Sequence, residues 1–277
     1  MSQPSPSSLP VIAFIGGGNM ASAIIGGLIR QGHPADQIEV VEPWETAREA
    51  LHKNYGLQAR PEPGPALQRA EIVVWAVKPQ TFKDAAAQAR AHTAHALHLS
   101  VAAGIRSDSI AQWLGTERIV RTMPNTPALV GKGMSALYAR PAVDAAERAQ
   151  VEAILATTGE FLWVESEKQL DAVTALSGSG PAYVFYFLEA MTRAGTGMGL
   201  SPEQAHKLAV GTFVGASELA RRSDEPPAVL RERVTSKGGT TYAALQAMEA
   251  SGVSQAFEAA MRAAEQRAHE LGNEFGS

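Results

Sequence analysis

Apolar residues follow two different patterns along this chain, and the change falls near residue 166. Before that point, short apolar runs alternate with longer stretches of helical spacing. Most runs are apolar on both faces, as buried parallel strands must be. They predict strands over 11–16, 38–42, 71–77, 96–102, 118–123, 133–139 and 159–165, and helices near 19–31, 44–54, 80–94, 107–114 and 144–157. This alternation predicts a parallel sheet that is covered by helices on both faces.

Beyond residue 167 the strand pattern ends and only helical patterns continue. Ser201 is suited to cap a helix, with Pro202 at its first position and Glu203 in its first turn. The last helix is expected to close at Gly272. Small residues on the predicted buried faces favour close contact between helices. We therefore expect residues 167–277 to form an all-helical domain.

Composition and charge narrow the possible partners. The chain has 277 residues, 45% of them hydrophobic, and a net charge of −4, so nothing in its electrostatics favours nucleic acid or an anionic membrane. It has no cysteine, which excludes disulfides, zinc–thiolate sites and a cysteine nucleophile. No apolar run reaches the length of a membrane span. Residues 1–10 lack a basic start and an apolar stretch, so we expect a short disordered tail and a cytoplasmic protein.

A glycine motif, Gly16-x-Gly18-x-x-Ala21, directly follows the first predicted strand and opens the first helix. In such a motif the first glycine allows a tight turn, the second lets a pyrophosphate approach the backbone, and the small third residue lets helix pack on strand. The helix N-terminus then faces the phosphates. The predicted fold class is therefore α/β, with a Rossmann-type dinucleotide-binding domain over 11–166 before the helical domain.

The identity of the dinucleotide depends on Glu42, at the end of the second strand. An acid there would accept a hydrogen bond from the ribose 2′-hydroxyl of NAD and repel a 2′-phosphate. Alternatively, Glu42 only supports the helix that begins near Pro43. Arg48 lies within reach of the same region and could partly offset the charge.

Three further segments leave neighbouring strands at the ligand-binding edge of the sheet. Backbone groups of Ala76 to Pro79 could line the cofactor, although Lys78 taken alone would be a solvated surface lysine. The segments "SVAAG" (100–104) and "TMPNTP" (122–127) end at the same edge. The amide of Asn125 could hold a neighbouring loop or the nicotinamide ribose, or simply form a tight turn.

Conventional catalytic groups are not evident. Five of the seven histidines lie in the first half, on predicted helices or loops with no acid placed to orient them. His92, His95 and His98 are close in sequence, but this stretch runs from a helix end into a strand and does not favour a metal site. Ser177 and Ser179 lack a visible His/Asp pairing for nucleophilic catalysis.

Two segments rich in glycine and hydroxyl residues remain, "LSGSGPAY" (176–183) and "TSKGGTT" (235–241). Exposed N–H groups at a Gly-Gly-Thr-Thr helix start would suit a carboxylate, and a threonine hydroxyl could bond a ring nitrogen. A substrate with a carboxylate and a polarised C=N bond would need only orientation and a hydride. The alternative is that 235–241 is merely a helix cap and entry.

The chain resembles the pyrroline-5-carboxylate reductases over nearly all of its length after the first ten residues. The shared motifs are "FIGGGNMASAIIGGL", "AVKPQ", "SVAAGI", "VRTMPNTPALVGKG", "LSGSGPAYVF", "GLSPEQAHKLA" and "LRERVTSKGGTTYAALQAME". The resemblance implies reduction of 1-pyrroline-5-carboxylate, a cyclic imino acid, to L-proline with NADPH or NADH, the last step of proline biosynthesis. It also implies an intertwined homodimer, a site that draws on both chains, and in some members a ring of dimers.

The resemblance assigns site residues to this sequence. Those expected to line the cofactor are Ile15, Gly16, Gly17, Gly18, Asn19, Met20, Ala76, Val77, Lys78, Pro79, Val101, Ala102 and Ala103. The backbone around Gly239 and Thr240 would bind the substrate carboxylate, and the catalytic Thr241 hydroxyl the ring nitrogen, with Asp224 near the same ring. Lys237 replaces a proline common in the family, and Glu42 departs from members that clearly prefer NADPH.

The sequence leaves three other functions open. A 3-hydroxyacid dehydrogenase would need a lysine on the long interdomain helix, where "SGSGPAYVFYF" has none. An imine reductase for bulkier amines would lack the carboxylate cradle. A non-catalytic dinucleotide sensor would leave the second Gly/Thr segment unexplained.

Overall fold

The computed structural model describes residues 9–276. Of the tail predicted over 1–10, residues 1–8 lie outside this range. The described chain forms two compact units. The first runs to Ser179 and resumes at Ala264, and the second is Gly180–Ala263. The domain boundary expected near residue 166 stays a prediction.

Seven strands form one sheet in the first unit, in the order β2-β1-β3-β4-β5-β6-β7. All seven lie where the sequence predicts them: β1 Ile12–Ile15, β2 Ile38–Val41, β3 Ile72–Trp75, β4 Leu97–Ser100, β5 Ile119–Met123, β6 Gly133–Ala139 and β7 Gly159–Trp163. The helices of this unit are α1 Asn19–Arg30, α2 Glu45–Tyr55, α3 Pro79–Thr93, α4 Ser107–Leu114, α5 Ala145–Leu155 and α6 Gln169–Val173. The predicted α/β class is confirmed.

The last two strands depart from the expectation of a fully parallel sheet. Strands β1 to β5 pair in parallel, but β6 pairs with β5 in antiparallel orientation and β7 is parallel to β6. The physical reason is the short connection 124–132, which contains only one 3₁₀ turn. Parallel neighbours need a crossover of a dozen or more residues, so this link allows only a reversal.

Alternation along the buried strands separates two apolar cores. Ile12 and Phe14 of β1 belong to one core, whereas Ala13 and Ile15 belong to the other. Successive side chains of a strand point to opposite faces, so each face of the sheet packs on its own helices. Helix α1 contributes Ile24 to the first core. This arrangement fixes the end of β1, where the glycine motif begins.

Helices make up the rest of the chain. They are α7 Gly180–Gly197, α8 Pro202–Arg221, α9 Pro227–Arg233, α10 Thr240–Ala250 and α11 Val253–Glu274. The helix start predicted at Ser201 is confirmed, since Ser201 caps α8 in a capping box with Gln204. The expected closure at Gly272 is wrong, because α11 continues to Glu274. Gly272 instead allows a close approach: a Cβ there would lie 3.0 Å from the guanidinium of Arg106.

The helical unit has almost no core of its own. The buried residues of α8 are Ala205 and Ala209, and within α9 and α10 no described residue is buried. The close packing expected of small residues is present where a Cβ on Gly195 would lie 2.9 Å from the Cβ of Ala205. Large apolar side chains remain exposed, among them Phe185, Tyr186, Leu208, Val214 and Leu219.

Among residues 9–276, none of the helices combines the length and apolarity that crossing a membrane requires. Within the same range, no group of three or more histidine, aspartate or glutamate side chains is placed to hold a metal ion.

A buried histidine makes the stability of the first unit depend on pH. The Nδ1 of His98 accepts a hydrogen bond from the Trp75 indole N–H at 3.0 Å, so the neutral ring carries its proton on Nε2. Burial lowers the pKa of His98 from 6.5 to about 4, and the positive charge of Arg118 acts in the same direction. In the folded chain the imidazole ring of His98 is therefore kept neutral.

We expect the free energy of unfolding to fall as the pH falls from 6.5 towards 4. The folded pKa is lowered, so the unfolded chain binds more protons in this window; the full difference is about 3 kcal/mol. Urea unfolding of the native protein and of His98→Gln across this window measures it. The variant should show a flatter pH dependence than the native protein. Equal slopes for native and His98→Gln would contradict the prediction.

Candidate active site

Four neighbouring strands end in one row at the carboxyl edge of the sheet. Ile15 pairs in register with Val41 on one side and with Trp75 on the other, and Trp75 pairs with Ser100. Backbone hydrogen bonds continue past this row: Gly16 N–H donates to the Val41 carbonyl (2.8 Å), and Ala76 N–H donates to the Ile15 carbonyl (2.8 Å). The segments that follow these strands therefore emerge side by side. The sheet order reverses at β1, which is where open α/β sheets bind ligands.

The three consecutive glycines after β1 have three different surroundings. Gly16 has a φ of +98°, and a Cβ there would lie 2.6 Å from the Ala76 carbonyl oxygen. A Cβ on Gly17 would lie 2.7 Å from Cδ1 of Leu51. A Cβ on Gly18, in contrast, would meet no atom within 4 Å, and the φ of −70° at this position suits any residue. The backbone conformation and the contact with Ala76 require glycine at position 16, whereas a side chain at Gly17 would displace the end of the Leu51 side chain. Gly18 leaves open space in front of the turn.

Helix α1 begins at this open space with a free N-terminus. Gly18 is its N-cap, no side chain caps it, and no acidic residue lies in its first turn. Asn19 is exposed and Met20 partly exposed, whereas Ala21 is fully buried against the sheet. The first N–H groups of a helix carry partial positive charge and lack acceptors within the helix. The turn is therefore suited to bind a phosphate group, as the motif predicts.

Glu42 connects this turn to the second strand. Its side chain is buried, and its carboxylate accepts hydrogen bonds from Gly17 N–H (2.6 Å) and from Trp44 N–H (2.9 Å). The bond to Trp44, the N-cap of α2, agrees with the alternative that Glu42 supports the helix start. The bond to Gly17 was not expected from sequence. Arg48 donates to the Glu42 and Pro43 carbonyls (3.0 and 2.6 Å), so its guanidinium is held close by.

The two other predicted cofactor segments lie on the same edge. Ala76 and Val77 are partly exposed after β3, and Lys78 is exposed as the N-cap of α3 with Pro79 at its first position. Val101 N–H bonds the Trp75 carbonyl at 3.1 Å. Of the remaining predicted positions after β4, Ala102 is buried and Ala103 partly exposed. The structure thus brings the predicted cofactor residues together along one edge.

Asn125 holds two neighbouring segments rather than forming an isolated turn. Its amide nitrogen donates to the Ser177 carbonyl (3.1 Å), and its oxygen accepts from Met134 N–H (2.9 Å). Ser177 belongs to a single π-helical turn, Thr174–Gly178, inside the glycine/serine segment. Such turns often occur at functional sites. Of the roles considered for this amide, holding a neighbouring loop is the one observed.

The segment "TSKGGTT" forms a tight turn that leads into α10 of the helical unit. Gly239 N–H bonds the Ser236 carbonyl at 3.0 Å, and Gly238 has a φ of +74°, a conformation that favours glycine. Gly239 is the N-cap of α10, and neither a side-chain cap nor an acidic first turn is present. Thr240 and Thr241 are exposed at this helix start. The turn therefore offers backbone N–H groups and two hydroxyls to an anion.

Asp224 lies in the same unit, in the loop between α8 and α9. Its neighbour Glu225 pairs with Arg233 at the end of α9 (2.5 Å), so this loop is fastened to α9. The role expected for Asp224 beside the substrate ring stays a prediction.

Comparison with known proteins gives a consistent result for both parts of the chain. Residues 167–271 match the family model described as pyrroline-5-carboxylate reductase dimerisation, and residues 11–104 match NADP oxidoreductase coenzyme F420-dependent. A pyrroline-5-carboxylate reductase of Pseudomonas aeruginosa is 45% identical over 271 residues, covering 97% of this chain and 99% of the relative. One from Haemophilus influenzae is 41% identical, covering 94% and 97%.

Solved structures agree with these matches. A pyrroline-5-carboxylate reductase from Coxiella burnetii superposes with a TM-score of 0.88 at 36% identity, covering 95% of this chain and 98% of that one. The Plasmodium falciparum pyrroline carboxylate reductase with NADP bound gives 0.85 at 28% identity, with the same coverage. A prephenate dehydrogenase from A. aeolicus, at 12% identity and a TM-score of 0.54, shares the fold alone.

The different surroundings of the glycines allow a matched test of the turn. Gly16→Ala should lower the free energy of unfolding by about 2 kcal/mol or more, because the methyl group meets the Ala76 carbonyl in left-handed backbone. Gly18→Ala should lower it by no more than about 1 kcal/mol, the cost of alanine at an N-cap, because its methyl group meets open space. It should nevertheless weaken dinucleotide binding at least about tenfold, because the methyl group occupies the phosphate position. Thermal unfolding and a binding titration measure the two effects; native affinity in Gly18→Ala would be the contrary result.

Proposed function

This chain belongs to the pyrroline-5-carboxylate reductase family, and we propose that its two glycine-rich turns hold the nicotinamide cofactor and the cyclic imino acid. The chain is an NAD(P)H-dependent oxidoreductase that reduces the C=N bond of 1-pyrroline-5-carboxylate to give L-proline, the last step of proline biosynthesis. The roles of individual residues in binding and reduction are what we propose. The observation that carries it is the uncapped start of α10, whose N–H groups and hydroxyls are open to an anion.

The cofactor end is assigned from the strand-end edge of the sheet. The pyrophosphate binds at the open space in front of Gly18, where the N-terminus of α1 provides N–H groups. Ala76 to Pro79 and Val101 to Ala103 line the nicotinamide side of this edge. Glu42 receives the adenosine ribose, since its buried carboxylate lies beside Gly17. These assignments rest on the register of β1, β2, β3 and β4.

The substrate end is assigned from the helical unit. The substrate carboxylate binds the backbone around Gly239 and Thr240 at the start of α10, where the partial positive charge of the helix favours it. The Thr241 hydroxyl bonds the ring nitrogen. Exposed Lys237, two residues before Gly239, adds a positive charge on the same turn. No buried acid or base is required of these residues, because their work is binding and orientation.

The reaction itself does not require a strong proton donor at this turn, because a protonated imine is already an electrophile. When bound, the nicotinamide cofactor would supply the hydride that forms a new C–H bond at the imine carbon. The π bond of C=N breaks, its electron pair moves to nitrogen, and a nitrogen that is already protonated becomes the amine of proline. Thr241 stabilises the nitrogen as its charge changes. The residues of this chain contribute position and charge placement.

A second copy of the chain completes the helical unit in this proposal. The match to a dimerisation family over 167–271 supports an oligomer. The exposed apolar residues also support it, because no residue of α9 or α10 is fully buried within a single chain. A homodimer would cover these helices. A ring of dimers and a cytoplasmic location stay predictions.

The first prediction concerns the hydroxyl of Thr241. Thr241→Val keeps the shape of the side chain but removes a hydrogen bond to a charged ring, worth about 1.5–3 kcal/mol. We expect kcat with pyrroline-5-carboxylate to fall about 10- to 100-fold, with unchanged cofactor affinity. Thr241→Ser, which keeps the hydroxyl, is the matched control and should retain most of the activity. Native kcat in Thr241→Val would remove this residue from the mechanism.

The second prediction concerns the reaction and the cofactor together. Oxidation of NADH and of NADPH with pyrroline-5-carboxylate should both be measurable, with a larger kcat/KM for NADH. The reason is that a 2′-phosphate would approach the buried carboxylate of Glu42. Glu42→Gln removes the charge and keeps the size, so the ratio should move towards NADPH by about tenfold. Cofactor binding without any turnover would contradict the reductase and favour a sensor, and an unmoved ratio would contradict the role of Glu42.

A further inference from the structure

Trp44 has an unusual environment for a tryptophan. All four tryptophans lie within the described residues; Trp75 is completely buried, Trp113 and Trp163 are partly buried, and Trp44 is 74% exposed. A tryptophan offers a large apolar surface, and burying it is favourable. Neither apolar core includes its side chain. The large apolar surface of the Trp44 indole is therefore available for binding.

The backbone at Trp44 is fixed although its side chain is open. Strand β2 ends at Val41, Glu42 and Pro43 turn the chain, and Trp44 is the N-cap of α2. The Trp44 N–H donates to the Glu42 carboxylate at 2.9 Å. The indole therefore projects from a rigid point at the carboxyl end of β2, where side chains border the ligand crevice.

The same carboxylate connects Trp44 to the glycine turn. One oxygen of Glu42 accepts from Trp44 N–H and the other accepts from Gly17 N–H at 2.6 Å. The start of α2 and the turn where the pyrophosphate binds are therefore bridged by one carboxylate group and lie close together. Beyond the pyrophosphate, a dinucleotide continues with the adenosine ribose and then the adenine ring. With the ribose at Glu42, the adenine reaches the neighbourhood of Trp44.

We infer that the indole of Trp44 is the surface on which the adenine ring of the cofactor stacks. A planar, exposed aromatic ring on a fixed backbone is what a purine base requires, and the stacking needs no base-specific hydrogen bond. Arg48 does not take this role, because its guanidinium bonds the carbonyls of Glu42 and Pro43. Glu42 and Trp44 then divide the adenosine between them, the carboxylate binding the ribose and the indole binding the base.

This inference rests on the proposed function only in requiring a nicotinamide dinucleotide as the ligand. It makes Trp44 a residue for cofactor affinity and leaves the imino acid site untouched. Its test can therefore use binding alone, with a probe that carries the adenosine end but cannot donate a hydride. ADP-ribose is such a probe, and nicotinamide mononucleotide is the complementary one.

The experiment titrates the full-length protein with ADP-ribose and follows tryptophan emission and binding heat. Stacking should quench the emission of Trp44 in the native protein. In Trp44→Phe the quenching should disappear while a smaller ring keeps most of the affinity, and Trp44→Ala should bind about tenfold more weakly. Trp113→Phe is the matched control and should keep both the quenching and the affinity. Nicotinamide mononucleotide should quench none of these proteins.

Each contrary outcome has a definite meaning. Native affinity in Trp44→Ala, or full quenching in Trp44→Phe, overturns the inference. A changed oligomeric state of Trp44→Ala in light scattering, with native affinity for ADP-ribose, also overturns it and assigns the indole to contact with a second copy. Turnover of pyrroline-5-carboxylate by the native protein is measured in parallel. If turnover is present and the Trp44 variants bind normally, only this inference fails; if the variants behave as expected without turnover, only the proposed reductase fails.

Discussion

Four parallel strands of the sheet end in register, and the proposed cofactor site depends on this constraint. Val41, Ile15, Trp75 and Ser100 lie in one row, so the chain must turn four times along a single edge. At the centre of that row the backbone after β1 passes so close to the Ala76 carbonyl that only glycine fits. Glu42 then joins the glycine turn to the start of α2. The site is therefore an outcome of strand register, and each turn is held by its neighbour.

Much of this architecture can be read from the sequence, for physical reasons that differ between elements. Buried parallel strands are apolar on both faces, so runs such as the one that becomes β3 stand out. The direction of β6 was not predicted correctly, because an apolar run carries no information on orientation; the length of the connection 124–132 decides it. The role of Gly272 is also not determined by the sequence. Glycine suits both a helix end and a close contact, and the contact with Arg106 arises only in the folded chain.

The candidate site was predictable to the extent that its parts are local. The glycine motif and the turn before α10 are contiguous in sequence, and their open N-termini follow from helix geometry. The bond from Gly17 to Glu42 joins residues 25 positions apart and could not be read from either segment. The sequence does not single out Trp44, because a lone aromatic residue before a polar helix forms no pattern. Only its exposure and its bond to Glu42 distinguish it.

The division of helix α11 between the two units has a consequence for the order in which the protein can be made. Its residues up to Ala263 belong to the helical unit, and those from Ala264 onwards pack in the first unit. There Gly272 approaches Arg106, and the Ser109 hydroxyl donates to the Gly276 carbonyl at 2.7 Å. The helical unit is thus an insertion within the first unit. On the ribosome, where domains fold as they emerge, the first unit begins first and receives its final segment last.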